Sequence, residues 1–121
     1  MNKFKRDNTL KERQEKSTKL LNTYYPDKIP VIIQKYKNND NIPELKQIKY
    51  LIPNHMTYSQ LLLVIRNKMK TTLNPSVAMY IISESGKILS GNITIGEIYE
   101  EYKSKEDNFL YFFYAGENTF G

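Results

Sequence analysis

The stretch KIPVIIQKY, Lys28 to Tyr36, limits the possible folds more than any other part of the chain. As a strand it puts Ile29, Val31 and Ile33 on one face, yet Pro30 and Ile32 on the opposite face are apolar too. A strand that is apolar on both faces has to be covered on both. The rest of the chain must therefore supply two layers of cover for one sheet. Pro30 has no N–H, which makes a central place in that sheet less comfortable.

Residues 9–24, TLKERQEKSTKLLNTY, read as an amphipathic helix. Thr9 and Glu12 stand at capping-box spacing, and Leu10, Ser17, Leu20, Leu21 and Tyr24 make a narrow apolar stripe. The turn YPDK ends it, because Pro26 disfavours helix at the residue before it. After a polar loop, KNNDNIPE, comes a short second strand, IKYLIP (Ile48 to Pro53), closed by proline. The clearest helix follows. Thr57 and Gln60 form a capping box, and Tyr58, Leu61, Leu62, Ile65 and Met69 recur at helical spacing. VAMYII (Val77 to Ile82) is a third strand, SESGK a turn, and Thr94 with Glu97 opens a short helix through IYEEYK. FLYFFY, Phe109 to Tyr114, is the last strand.

The order helix, strand, strand, helix, strand, helix, strand is that of a ubiquitin-like β-grasp with one extra helix in front. This is an α+β fold with a four-stranded mixed sheet. Its central helix covers one face and the leading helix covers the other, as the two-faced strand requires. The expected division is an N-terminal helical extension (1–26), the β-grasp domain (27–115) and a flexible C-terminal tail (116–121).

Composition narrows the chemistry. With no cysteine there is no disulfide, thiol nucleophile or cysteine-held zinc. The single histidine, His55, falls in a loop, Glu100 and Glu101 read as solvated, and no hydrolase motif or phosphate-cradling glycine loop is present. An enzyme, a metal and a cofactor are therefore not expected. The net charge of +5 collects partly at the front, in Lys3, Lys5, Arg6, Lys11, Arg13, Lys16 and Lys19, and would attract anionic surfaces. A nucleic-acid partner is not expected, since the aromatics gather in FLYFFY, which reads as core. The charged start has no secretory h-region and no run is long enough to span a bilayer, so the expected compartment is cytoplasmic and the default state a monomer.

The segments YPDKIPVII, IPELKQIKYLIP, MTYSQLLLVIRNKM, IYEEYK and above all FLYFFYAGENTFG resemble the autophagy ubiquitin-like modifiers. That family contains GABA-receptor-associated protein and the microtubule-associated-protein light chains. The resemblance implies two functions. In the first, a cysteine protease exposes a C-terminal glycine (and later removes the lipid), an activating enzyme adenylates it, and a conjugating enzyme passes it to phosphatidylethanolamine on the autophagosome membrane. Gly121 would be the acyl group transferred; it is either the natural end or a shortened form that mimics processing. Lacking a Cβ, glycine fits narrow channels and leaves its carbonyl open to attack.

The second implied function is docking of aromatic–x–x–aliphatic motifs, carried by cargo receptors and adaptors, as an added strand on the edge of the second strand. The resemblance assigns Leu21, Pro30, Ile32, Lys49, Leu51 and Phe109 to the aromatic pocket, with Leu20 the alternative to Leu21 because the leading helix aligns with one residue of slack. It assigns Tyr50, Ile52, Pro53, Met56, Leu61 and Val64 to the aliphatic pocket. Lys28, Lys49 and Arg66 would meet acidic residues flanking the motif. Lys28 stands where most relatives have arginine, which weakens bidentate binding. Leu61 replaces a usual phenylalanine, which widens the aliphatic pocket. Lys16 and Ser17 stand where an acidic residue is usual, which shifts the expected preference from tryptophan toward phenylalanine, tyrosine or more acidic motifs. The alternative function is a ubiquitin-like docking adaptor of membrane trafficking that is never conjugated.

Overall fold

The computed structural model describes residues 2–36, 42–69, 78–87, 89 and 91–116. The elements are α1 (Lys3–Asp7), α2 (Leu10–Tyr24), β1 (Lys28–Lys35), β2 (Lys49–Pro53), α3 (Tyr58–Lys68), β3 (Met79–Ser83), α4 (Ile95–Tyr102) and β4 (Leu110–Gly116). The sheet runs β2–β1–β4–β3. Strands β1 and β4 are parallel, and the outer pairs are antiparallel. This is the ubiquitin-like fold expected from the element order.

Both faces of β1 are covered. Ile29, Val31 and Ile33 join Leu110, Phe112 and Tyr114 of β4 against α3 and α4, through Leu61, Ile65, Ile95 and Ile98 among others. On the other face Ile32, Phe109 and Tyr111 form a smaller cluster with Phe4 of α1, and Leu20 of α2 packs on it. Strand β1 is central despite Pro30. The β1–β4 ladder opens at Val31↔Leu110, one residue after the proline, so the missing N–H falls outside the pairing. Just before that point the Asn108 carbonyl accepts instead from the Tyr99 hydroxyl at 2.8 Å.

All three expected capping boxes form, at Thr9, Thr57 and Thr94. The starts of α3 and α4 lie side by side through a bridge between Thr57 and Thr94, with Ile95 N–H donating to the Met56 carbonyl at 2.8 Å. That pins the turn between β2 and α3. The inward stripe of α2 differs from the expected one. Its buried residues are Arg13 and Ser17, whereas Leu10 is 42% and Tyr24 38% exposed. The helix α1 was not foreseen: it has five residues, capped by the Asn2 side chain and held by Phe4, whose ring meets Phe109 edge-on at 5.3 Å. Val77, expected in the third strand, and residues 37–41 of the polar loop lie outside the described residues. Strand β4 runs through Gly116, one residue into the expected tail.

Candidate docking site

The sheet has two edges, and they differ. On β3, Ile81 N–H donates to the Tyr58 hydroxyl oxygen at 3.0 Å, and the same hydroxyl donates to the Ile81 carbonyl at 2.9 Å. One buried tyrosine of α3 thus occupies both groups that β3 turns outward there. On β2 the alternation can be read from the ladder. Ile33 N–H donates to the Ile48 carbonyl at 2.8 Å, and Val31 and Ile29 stand opposite Tyr50 and Ile52. In an antiparallel pair such residues exchange their bonds, so Lys49, Leu51 and Pro53 turn theirs away from β1. The Lys49 carbonyl takes the Gln47 side-chain amide at 2.6 Å, and the Pro53 carbonyl takes Met56 N–H at 3.1 Å. The N–H and carbonyl of Leu51 have no partner among the described residues. The open edge is therefore a backbone slot centred on Leu51.

Side chains alternate across this slot. Lys49, Leu51 and Pro53 lie on the α2 side, opposite Ile32, Pro30 and Lys28 respectively. Lys49 is exposed and Leu51 half-buried, while Ile32 and Phe109 are 0% exposed beneath Leu20. It is Leu20 that joins this cluster; Leu21 packs against the larger core instead. The reason is helical phase. Arg13, Ser17 and Leu20 follow at i, i+4 and i+7 on one face, and Leu21 lies about 100° further round. Pro53 falls on the Leu51 side rather than with Tyr50 and Ile52.

The α3 side carries Tyr50, Ile52 and Leu61, all buried in the main core, with Leu61 at 0% exposure. Met56 is half-buried there, and Val64 is 37% exposed at the rim. Lys28 and Lys49 bracket the slot on the α2 side, roughly 13 Å apart at about 3.3 Å per residue. Arg66 is two residues from Val64 and so about 200° round α3, whereas Lys68 lies a full turn on, its ammonium 5.7 Å from the Tyr50 ring centre. Lys68 is the basic residue that sequence reasoning passed over; its i, i+4 spacing from Val64 was the available signal. A cavity of about 470 Å³ adjoins this end, lined by Pro43, Leu45, Lys46, Gln47, Tyr50 and Lys68 among others. Gly121 and the rest of the GENTFG tail beyond Gly116 lie outside the described residues. Among the described residues no cluster of three His, Cys, Asp or Glu could hold a metal ion, and no helix is long and apolar enough to cross a membrane.

Comparison with known proteins agrees with this architecture. The family model described as "Autophagy protein Atg8 ubiquitin like" matches residues 12–121. Autophagy-related protein 8D of Oryza sativa subsp. japonica is 36% identical over 118 residues, covering 98% of this chain and 96% of its own. Autophagy-related protein 8d of Arabidopsis thaliana is 40% identical over 119 residues, covering 98% and 93%. Human microtubule-associated protein 1 light chain 3 gamma is 36% identical over 118 residues, covering 98% and 78%. The crystal structure of Trypanosoma brucei ATG8 superposes with a TM-score of 0.83 at 31% identity, over 97% of this chain and 96% of that one. The chain belongs to the Atg8 family of ubiquitin-like autophagy proteins.

Proposed function

We propose that this chain is a ubiquitin-like modifier, joined through Gly121 to phosphatidylethanolamine on autophagosomal membranes. On the β2 edge it recruits cargo receptors and adaptors that carry aromatic–x–x–aliphatic motifs. The observation that carries the docking half is the asymmetry at the middle of the two edge strands: Tyr58 occupies both outward groups of Ile81 on β3, while those of Leu51 on β2 are open. The motif's spacing suits that slot. Residues three apart in a strand point to opposite faces, so the ring of the motif goes to the α2 side and its aliphatic residue to the α3 side near Val64. The partner's backbone supplies bonds to Leu51, and Lys28 and Lys49 face acidic flanks.

Membership of the family supports the conjugation half, together with the GENTFG ending whose resemblance is set out above. The chemistry belongs to the activating, conjugating and protease partners, and this chain supplies the acyl group. The two acyl chains of the conjugated lipid give stable anchoring where one would be marginal. Clustering on a membrane turns modest single-motif affinity into avidity.

The test is reconstitution with the family's activating and conjugating enzymes, ATP and liposomes containing phosphatidylethanolamine, read by intact mass. Wild type is expected to gain the mass of the lipid and Gly121→Ala to gain nothing. If neither is modified while motif peptides still bind, the chain is a docking adaptor that is not conjugated, and the modifier half is wrong.

A further inference from the structure

The helix that walls the α2 side of the slot is held by a polar anchor rather than by an apolar face. Asp107, in the loop between α4 and β4, is 1% exposed. Its Oδ2 accepts from Arg13 Nε at 2.9 Å and from the Tyr111 hydroxyl at 2.5 Å, and its Oδ1 accepts from Phe109 N–H at 3.0 Å. The Asp107 backbone carbonyl accepts from the Ser17 hydroxyl. One residue therefore holds both buried side chains of α2. Arg13 reaches on to the Asn8 carbonyl at 2.8 Å, which ties the α1–α2 connection to the same point. The carboxylate that grips Arg13 also grips Phe109 and Tyr111, which form the cluster under Leu20.

Elsewhere α2 is tied by the Gln14 side-chain amide, which donates to the Glu106 carbonyl at 2.9 Å, and at its C-cap by the Tyr25 hydroxyl, which donates to Glu100 at 2.6 Å; its apolar contacts are few. Leu20 and Leu21 are half-buried and residues 22–25 are exposed. Ile32 and Phe109 are fully covered, and the half-buried residues packed on their cluster are Leu20 of α2 and Ile48 just before β2, so Leu20 stands between that cluster and a ring arriving on the α2 side. We infer that Arg13 and Asp107 are positioning residues of the docking site: without touching the partner, they set where Leu20 stands over Ile32 and Phe109, and so set affinity for the motif's aromatic residue. An unanchored α2 has to be ordered as the partner binds, and that ordering is subtracted from affinity. This inference rests on the docking reading above.

The experiment compares full-length wild type with Arg13→Gln, Arg13→Lys and the milder Ser17→Ala. Three synthetic peptides are titrated: an intact motif, one with alanine at the aromatic position, and one with alanine at the aliphatic position. Nuclear Overhauser contacts between the Leu20 methyls and the Phe109 ring are read in the free proteins. Arg13→Gln is expected to lose those contacts and to bind the intact and aliphatic-to-alanine peptides about ten-fold more weakly. It should bind the aromatic-to-alanine peptide as wild type does. Arg13→Lys should recover part of the loss, and Ser17→Ala should shift affinity about two-fold in the same peptide-selective way. A merely structural role would weaken all three peptides equally. Such a uniform loss, or Arg13→Gln within two-fold of wild type on every peptide, overturns the inference and leaves the docking reading standing. If wild type binds no peptide, the docking reading fails and the inference falls with it.

Discussion

Replacing Tyr58 by phenylalanine removes one oxygen from a residue whose ring otherwise stays packed. That oxygen is both acceptor for Ile81 N–H, at 3.0 Å, and donor to the Ile81 carbonyl, at 2.9 Å. Tyr58 is 4% and Ile81 0% exposed, so water cannot replace the lost partner without rearrangement. A buried backbone group left without its bond costs about 1–3 kcal/mol. Two such groups, with partial relaxation at a sheet edge, give about 3 kcal/mol. The assay is urea unfolding followed by far-ultraviolet circular dichroism. At a slope of about 1.5 kcal/mol per molar urea, the midpoint should fall by roughly 2 M with the slope unchanged. The freed edge should also show concentration-dependent self-association in sedimentation, since an unpaired strand edge templates another strand. A midpoint within about 0.3 M of wild type, with a monomer at all concentrations, would refute the claim that this hydroxyl closes the β3 edge at Ile81.

Other outcomes follow from the same geometry. In Gly96→Ala the new Cβ would stand 2.1 Å from Asn54 Oδ1, and Asn54 is itself held on the Pro26 carbonyl at 2.8 Å. Overpacking of this kind costs about 1–3 kcal/mol, to be read as a lowered melting temperature. Val64→Glu lies at an exposed rim and should leave stability within about 0.5 kcal/mol, while weakening motif peptides in a titration; equal binding would remove Val64 from the site. Burial holds the Tyr99 and Tyr114 hydroxyls protonated up to about 12, whereas unfolded tyrosines ionise near 10. The folded state thus keeps protons that the unfolded chain releases. Stability is full below pH 10 and should fall as pH rises toward 12, by on the order of 1.4 kcal/mol per pH unit for each of the two. A tyrosinate titration at 295 nm in which every tyrosine ionises near 10 in the folded state would contradict this.

Much of the fold was legible because local signals agreed with one another. Three capping boxes marked three helix starts, and the apolar residues on both faces of β1 demanded the two layers that α2 and the α3–α4 pair provide. What escaped depends on distant parts of the chain. The helix α1 is too short to announce itself by periodicity and forms because Phe4 finds Phe109. The buried face of α2 could not be read from hydrophobicity, since Arg13 goes inward only because Asp107 is waiting there. Leu10 and Tyr24, apolar by type, stay largely outside. Nor does any local pattern say which sheet edge is open. That follows from the strand order and from a hydroxyl on α3 reaching β3.

The most direct test of the account is the protection of two backbone amides, Leu51 on the β2 edge and Ile81 on the β3 edge. Hydrogen exchange would be measured by nuclear magnetic resonance with and without an aromatic–x–x–aliphatic peptide. An added strand on β2 must take up the Leu51 N–H, so its exchange should slow markedly with peptide, while Ile81, already bonded to Tyr58, should not change. Peptide binding that leaves Leu51 exchanging as before, or that alters Ile81 instead, would show that partners do not dock on the β2 edge.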